Sequence, residues 1–361
     1  MAFLSLEIRD FRNLVAATLA PSPRLNLIVG ENASGKTSFL EACYFLGHGR
    51  SFRTRHSERL IREGTEHCRV VGTLAAEGNV AQSVVGIERW GAEMRARLGG
   101  EPVQSLSVLA ARLPMLVVNP DSHHLLDAGP QYRRRFLDWG VFHVEPRYLA
   151  AWQRYRQVLR QRNAALRARQ AAKAITAWDR ELVETAEQVH MLRQSYLDTF
   201  GSVAQATAQR LLAAAEVGFQ YQPGWPQKVT LTEALEAGLE RDRGQGYTRY
   251  GPHRADLAIR WDDQPAAERV SRGQQKQLAI ALLLAQGRHF TGATGRSCCY
   301  LVDDLAAELD RGHRDRVMGE LSEIGGQVMV TAIDASALST DNWSEHRMFH
   351  VEHGDIREVV Y

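Results

Sequence analysis

Leu4, Leu6 and Ile8 alternate with polar neighbours, the period of a half-buried strand. A polar loop at 9–13 follows. Residues 24–29 then form a mostly apolar run that reads as a buried strand, and 38–46 carry apolar residues at helical spacing. Residues 70–74 and 80–89 read as two strands around a turn at Glu77-Gly78-Asn79, and 115–118 as another short buried strand. Beyond Asn119-Pro120 the period changes. Trp152, Tyr155, Leu159 and Leu166 fall near heptad spacing. After Ala174-Ile175-Thr176 a second series begins with Trp178, Leu182, Val189, Leu192, Tyr196 and Val203. Two long helices with a short join predict a helical hairpin, which breaks at Gln222-Pro223-Gly224-Trp225-Pro226. Strand character returns at 255–261. A helix opens at Ser271 and runs to about His289. Residues 300–304 form an apolar strand ending in two carboxylates, 305–310 turn into a helix, and 327–331 form a last core strand. Strands alternating with helices on both sides of a helical insert imply one α/β domain split in sequence. The expected parts are 1–118, an insert lobe at 119–247, and 248–361.

Between the second predicted strand and its helix stands Gly30-Glu31-Asn32-Ala33-Ser34-Gly35-Lys36-Thr37, followed by Ser38. Gly, four residues, then Gly-Lys-Thr is the phosphate-loop pattern, and here it has both required flanks. Inward backbone N–H groups and a helix N-terminus make an anion site. Lys36 would reach the β- and γ-phosphates of ATP, and Thr37 would offer its hydroxyl to Mg²⁺. Ala33, which carries a Cβ, is expected to keep φ negative.

Asp303 ends an apolar strand, where a phosphate-loop ATPase holds its Mg²⁺. Asp304 would lie against the attacking water and orient it or take its proton. Helix N-capping or a second metal contact are the other roles open to it. Ser271-Arg272-Gly273-Gln274 at a helix start forms a second anion site, although a plain helix cap also accounts for it.

The 361 residues suffice for one large domain or two ordinary ones, and 44% hydrophobic residues can fill a real core. A net charge of +2 names no partner. Residues 130–173, however, carry eleven Lys and Arg against Asp138 and Glu145, a local balance of +9, so the remainder carries −7. Arg133, Arg134, Arg135, Arg154, Arg160 and Arg162 are the candidates for phosphate contact on DNA; a solvated helix face is the other reading for any one of them. His123, His124, His346, His350 and His353 read as exposed polar residues, with no cysteine or acidic partner at metal-ligand spacing. Cys43, Cys68, Cys298 and Cys299 have no zinc-like spacing, and a reduced, cytoplasmic compartment is the simplest expectation. The first residues lack a signal-peptide pattern, and the longest apolar run, 278–285, is too short to cross a bilayer.

The order phosphate loop, Ser-Arg-Gly-Gln helix start, strand-end carboxylates resembles the ABC ATPase superfamily. In that family two heads pair head to tail, and each signature helix completes the other's ATP site. Ala307-Glu308-Leu309-Asp310 sits where the family's D-loop sits. The 267 residues separating Lys36 from Asp303 resemble SMC-like heads, which carry a helical insertion there, more than transporter ATP-binding subunits. Within that group the chain resembles the RecF family of bacterial recombination mediators. The resemblance rests on Phe11-Arg12-Asn13-Leu14, the phosphate loop, residues 46–53, Asn119-Pro120-Asp121, residues 133–140, residues 251–257, residues 271–277 and Leu301-Val302-Asp303-Asp304-Leu305.

It implies an ABC-type α/β head with a helical second lobe, ATP-dependent homodimerisation, weak DNA-dependent ATP hydrolysis and Arg12 as a further phosphate contact, for which a surface arginine is the other reading. It also implies binding to single-stranded, gapped or junction DNA in replication, repair and the response to DNA damage, with RecR and RecO helping RecA to load. Three positions depart from the wider superfamily: Asp304 for glutamate, Thr331 for a switch histidine, and Arg272 for a signature glycine. A transport-energising subunit, a small-molecule phosphotransferase and a nucleotide-gated DNA-binding module that does not hydrolyse ATP are the rival readings.

Overall fold

Alternation in the first strand is interrupted early. In the computed structural model the register shifts between Phe3 and Ser5, so Phe3, Leu6 and Ile8 are buried while Leu4 faces solvent. The structure describes all residues except 79, 213–215, 360 and 361. The turn position Asn79 therefore lies outside the described residues.

The chain divides into two compact units, Met1–Ser122 with Lys276–Tyr361, and His123–Gln275. In chain order the strands of the first unit are β1 (Phe3–Phe11), β2 (Leu14–Leu19), β3 (Leu25–Val29), β4 (His67–Leu74), β5 (Ser83–Trp90), β6 (Glu93–Leu98), β7 (Glu101–Pro102) and β8 (Met115–Val118). The second unit holds β9 (Val217–Gln222), β10 (Asp256–Trp261) and β11 (Gln264–Pro265). The first unit resumes with β12 (Cys299–Val302), β13 (Gln327–Ala332), β14 (His346–Glu352) and β15 (Asp355–Val359).

Two sheets build the first unit. One is antiparallel, in the order β2-β1-β4-β5-β6-β7. The other runs β15-β14-β3-β13-β12-β8, parallel except for the edge strand β15. Three of its four inner strands, β3, β12 and β13, are buried at every position, as strands covered on both faces require. The Lys36–His48 helix contributes Phe39, Leu40, Cys43, Phe45 and Leu46 to the core and stops at Gly49, whose φ of 63° suits a left-handed C-cap.

The predicted hairpin appears in the second unit as the helices Tyr148–Arg167 and Asp179–Leu212, with Tyr155, Leu159, Leu166, Leu182, Val189 and Tyr196 buried. The join is longer than expected and holds a short helix, Ala172–Thr176. The helices Pro130–Val144 and Leu231–Gln245 and the strand β9 add to the expected elements. Chain return to the first unit comes at Lys276 rather than at 248. The reason is pairing: β10 lies antiparallel to β9, with Trp261 opposite Val217 and Asp256 opposite Gln222, so it joins the three-stranded sheet of the second unit. Among the described residues no helix is long and apolar enough to cross a membrane.

Candidate nucleotide site

β3 delivers the chain into the phosphate loop at the carboxyl edge of its sheet. Gly30 has φ 154°, and a Cβ there would lie 2.2 Å from the Val351 carbonyl oxygen, so this position requires glycine. Gly35, at φ 126°, leads directly into the helix. Ala33 adopts φ 63°, contrary to the expectation of a negative value. The loop enforces the left-handed turn. Ser34 N–H donates to the Glu31 carbonyl at 3.3 Å, and the Asn13 amide donates to the carbonyls of Ala33 at 3.4 Å and Ser34 at 3.2 Å. Asn13 also accepts from the Ser38 hydroxyl at 2.7 Å, and Gly354 N–H donates to the Ser34 carbonyl at 2.9 Å. A left-handed alanine costs on the order of 1–2 kcal/mol, which these ties offset.

Lys36 curls over the loop, its Nζ donating to the Gly30 and Glu31 carbonyls at 2.8 Å each. Burial holds its pKa below the usual lysine value, opposed by the nearby charges of Asp304 and Asp303. The Ser34 hydroxyl is buried with no partner among the described residues. A loop of turned glycines, a buried ammonium and an orphaned hydroxyl fit a phosphate anion. Glu31 and Asn32 are exposed at its rim.

The metal-binding half is assembled from strand ends. The Thr37 hydroxyl donates to both oxygens of Asp303 at 3.0 Å, and Thr331 donates to Oδ1 at 2.9 Å. Burial raises the Asp303 pKa, while the Thr331 and Thr37 bonds work against that rise. A hydroxyl and a buried carboxylate are hard oxygen donors, the set that Mg²⁺ prefers. Asp304 follows with φ 53° and ψ 43°; its N–H donates to Thr331 Oγ1 at 2.8 Å. It stands at the N-cap of the short helix Leu305–Glu308, yet its carboxylate makes no capping bond. That leaves the carboxylate available for other chemistry.

Arg12 is anchored by a carboxylate. Its guanidinium forks onto the buried Glu41, with Nε at 2.8 Å and Nη2 at 2.6 Å, and reaches the Arg59 carbonyl at 2.8 Å. Ser51 also donates to Glu41, and Arg53 lies 3.9 Å from it. Glu41, inside the helix after the loop, thus ties Arg12 and the basic 50–55 loop to the site. No one-dimensional pattern pairs residues 12, 41 and 51. Asn13, Gly354, Glu41 and the bridging role of Thr331 are the site residues that the sequence pattern does not single out; the lone glycine of the His353-Gly354 turn is the local signal for Gly354.

In the second unit Ser271, Arg272, Gly273 and Gln274 are exposed at the start of the Arg272–Thr294 helix. Ser271 N–H donates to Gln274 Oε1 at 2.9 Å, and Gln274 N–H to Ser271 Oγ at 3.3 Å, a reciprocal capping pair. In the first unit Lys276 pairs with Glu308 at 2.5 Å.

The basic block separates into two kinds of arginine. Arg162 is fully buried, bonding Asp179 at 2.7 Å, Asp242 at 2.7 Å and Thr248 at 2.9 Å. It is structural and cannot touch DNA. Arg133 forks onto Asp256 at 2.8 and 3.0 Å, and Arg134 donates to the Ala255 carbonyl at 2.7 Å; both are largely engaged within the fold. Arg135, Arg154 and Arg160 are exposed, Arg154 in contact with Glu181. His123, His124 and Asp127 bring one ligand atom each within 4.8 Å of one another. Contrary to the expectation that these histidines lack an acidic partner, Asp127, four residues after His123, lies 3.7 Å from it on a partly exposed helical turn.

Fold and site together define an ABC-type phosphate-loop ATPase head of mixed α/β structure. Residues 3–356 match the family model for the RecF/RecN/SMC N terminal domain. The DNA replication and repair protein RecF of Shewanella baltica is 42% identical over 362 residues, covering 99% of this chain and 100% of the relative. That of Edwardsiella ictaluri is 43% identical over 358 residues, covering 99% of both. Among solved structures, the recombination mediator protein RecF-ATP in the RecFOR pathway superposes with a TM-score of 0.87 at 22% identity, over 99% of both chains. An Smc head bound to the C-winged helix domain of ScpA gives 0.62 at 15% identity, over 99% of this chain and 98% of that one. The chain belongs to the RecF family of the RecF/RecN/SMC group.

Proposed function

We propose that this chain is an ATP-driven DNA-binding protein of recombinational repair and replication. One observation carries the nucleotide half of the reading: Thr37, at the end of the phosphate loop, meets the buried strand-end carboxylate of Asp303 beside Lys36. The loop N–H groups and Lys36 would hold the β- and γ-phosphates. Thr37 and Asp303 would hold Mg²⁺, which supplies charge neutralisation on the phosphate oxygens. Asp304, uncommitted as a cap, would orient the attacking water and take its proton. The capped, exposed helix start at Ser271 would close over the γ-phosphate of a second copy, so that ATP drives dimerisation and weak hydrolysis reverses it. The exposed Arg135, Arg154 and Arg160 would contact DNA phosphates without reading bases. The relatives' name, DNA replication and repair protein RecF, and the likeness to a RecF-ATP structure of the RecFOR pathway support this reading and a partnership with RecR and RecO. Help in loading RecA at single-stranded gaps and a cytoplasmic location belong to the same proposal.

The experiment is phosphate release from ATP, with and without Mg²⁺ and gapped DNA. Mg²⁺-dependent turnover that DNA accelerates supports the reading. ATP binding without turnover in any condition would favour a nucleotide-gated binding module instead.

A further inference from the structure

Thr331 sits near the end of β13, the strand between the phosphate-loop strand β3 and the carboxylate strand β12, and its side chain is fully buried. One hydroxyl there makes two contacts with fixed roles. The Asp304 N–H can only donate, so the hydroxyl oxygen accepts at 2.8 Å and its single proton goes to Asp303 Oδ1 at 2.9 Å. Thr37 is the other side chain bonded to Asp303 among the described residues. If the Thr37 hydroxyl turns to a bound cation, Thr331 is left to orient the carboxylate. The backbone of Asp304 is left-handed at φ 53°, a conformation that a non-glycine residue keeps only when its surroundings hold it. The bond from its N–H to Thr331 is such a restraint.

We infer that Thr331 is a positioning residue: its hydroxyl ties the metal-binding carboxylate of Asp303 to the backbone turn that aims Asp304. This rests on the ATP and Mg²⁺ reading above. The bridge fixes Asp303 through Oδ1 and leaves Oδ2, bonded by Thr37, for the cation, while it also fixes the backbone from which the Asp304 carboxylate projects. Metal binding and water positioning then share one hydroxyl.

The test compares Thr331→Val, which keeps the shape and loses the hydroxyl, with Thr331→Ser, which keeps the hydroxyl and loses a methyl. Affinity for a fluorescent ATP analogue is measured in EDTA and across a Mg²⁺ titration, and turnover is followed in parallel. The valine variant is expected to bind nucleotide normally in EDTA. It should need about tenfold more Mg²⁺ for the metal-dependent gain in affinity, the scale of one charge-assisted hydrogen bond. Its kcat should fall with KM for ATP little changed, and the serine variant should restore both properties. A wild-type Mg²⁺ requirement and kcat in the valine variant would overturn the inference. So would a serine variant as impaired as valine, because the methyl group rather than the hydroxyl would then matter. Should the valine variant lose its thermal transition, Thr331→Cys, a similar-sized weak donor, is measured with the same two outcomes. Absence of any Mg²⁺ effect in the wild type would be a failure of the ATP reading itself, and it shows before any variant is compared.

Discussion

Thr37 and Asp303 stand 266 positions apart in the chain, yet the hydroxyl of one lies 3.0 Å from each carboxylate oxygen of the other. Parallel pairing of β3, β13 and β12 brings their carboxyl ends to one edge, and the two residues leave from that edge. Polar groups from distant segments converge there because the strands between them are buried throughout and mostly apolar.

Lys36→Ala removes the ammonium that bridges the Gly30 and Glu31 carbonyls. ATP affinity is expected to fall at least tenfold, the loss of a charge-assisted bond to phosphate. The thermal midpoint should stay within a few degrees, since the bonds removed are local. Isothermal titration with ATP and a melting curve check both; near wild-type affinity would place the nucleotide elsewhere.

Asp303→Asn and Asp304→Asn should separate. The first takes charge from the metal position and should weaken Mg²⁺-dependent ATP binding. The second keeps Asp303 and its two threonine partners, so binding should persist while turnover drops roughly 10²–10³-fold, the range for losing a general base. Equal turnover in Asp304→Asn and wild type would remove Asp304 from the reaction.

Arginines that look alike in sequence should respond in opposite ways. Arg162→Ala leaves Asp242 buried without its partner, at a cost of about 3–5 kcal/mol, and should lower the melting temperature markedly. Replacing Arg135, Arg154 and Arg160 together should leave melting unchanged. The slope of log K against log salt on duplex DNA should flatten by about 1 for each phosphate no longer neutralised. A triple variant with an unchanged slope would clear these three from the interface.

Acid should destabilise the second unit through His253. Its Nδ1 lies 2.5 Å from the Tyr155 hydroxyl and its Nε2 3.0 Å from the Thr248 carbonyl. The carbonyl needs an N–H, so the neutral ring carries its proton on Nε2 and accepts from Tyr155. Burial pushes His253 down to about 4 from 6.5, so the unfolded chain binds the proton first. The stabilisation is present above pH 6.5 and is lost as pH falls toward 4, on the order of 3 kcal/mol in all. Melting temperatures measured from pH 7 to 4 should show this slope, and His253→Gln should flatten it. Parallel curves for the two proteins would assign the acid sensitivity to other groups.

β3, β12 and β13 were legible because each is a short, mostly apolar run, and the phosphate-loop pattern directly follows the first of them. The two carboxylates, Asp303 and Asp304, stand directly after β12, where the end of that apolar run puts them. Pairing over long separations was not. Residues 255–261 read correctly as a strand, but nothing local says that β9 rather than the main sheet receives it. Arg162 lies on a helix among exposed arginines, and only Asp179 and Asp242, brought in by other helices, show that it is buried. The left-handed Ala33 depends on Asn13, twenty positions away, which no loop pattern contains. The fork of Arg12 on Glu41 likewise crosses 29 positions.

Sedimentation velocity of the purified protein, with Mg²⁺ and with or without ATP, reads ATP-driven pairing of two heads directly. A monomer is expected without nucleotide and a dimer with ATP, no dimer for Lys36→Ala or Ser271→Arg alone, and partial recovery when those two variants are mixed. Such a pair retains one site with an intact phosphate loop facing an intact Ser271. Saturating ATP with the wild type still monomeric at every concentration would contradict ATP-driven pairing.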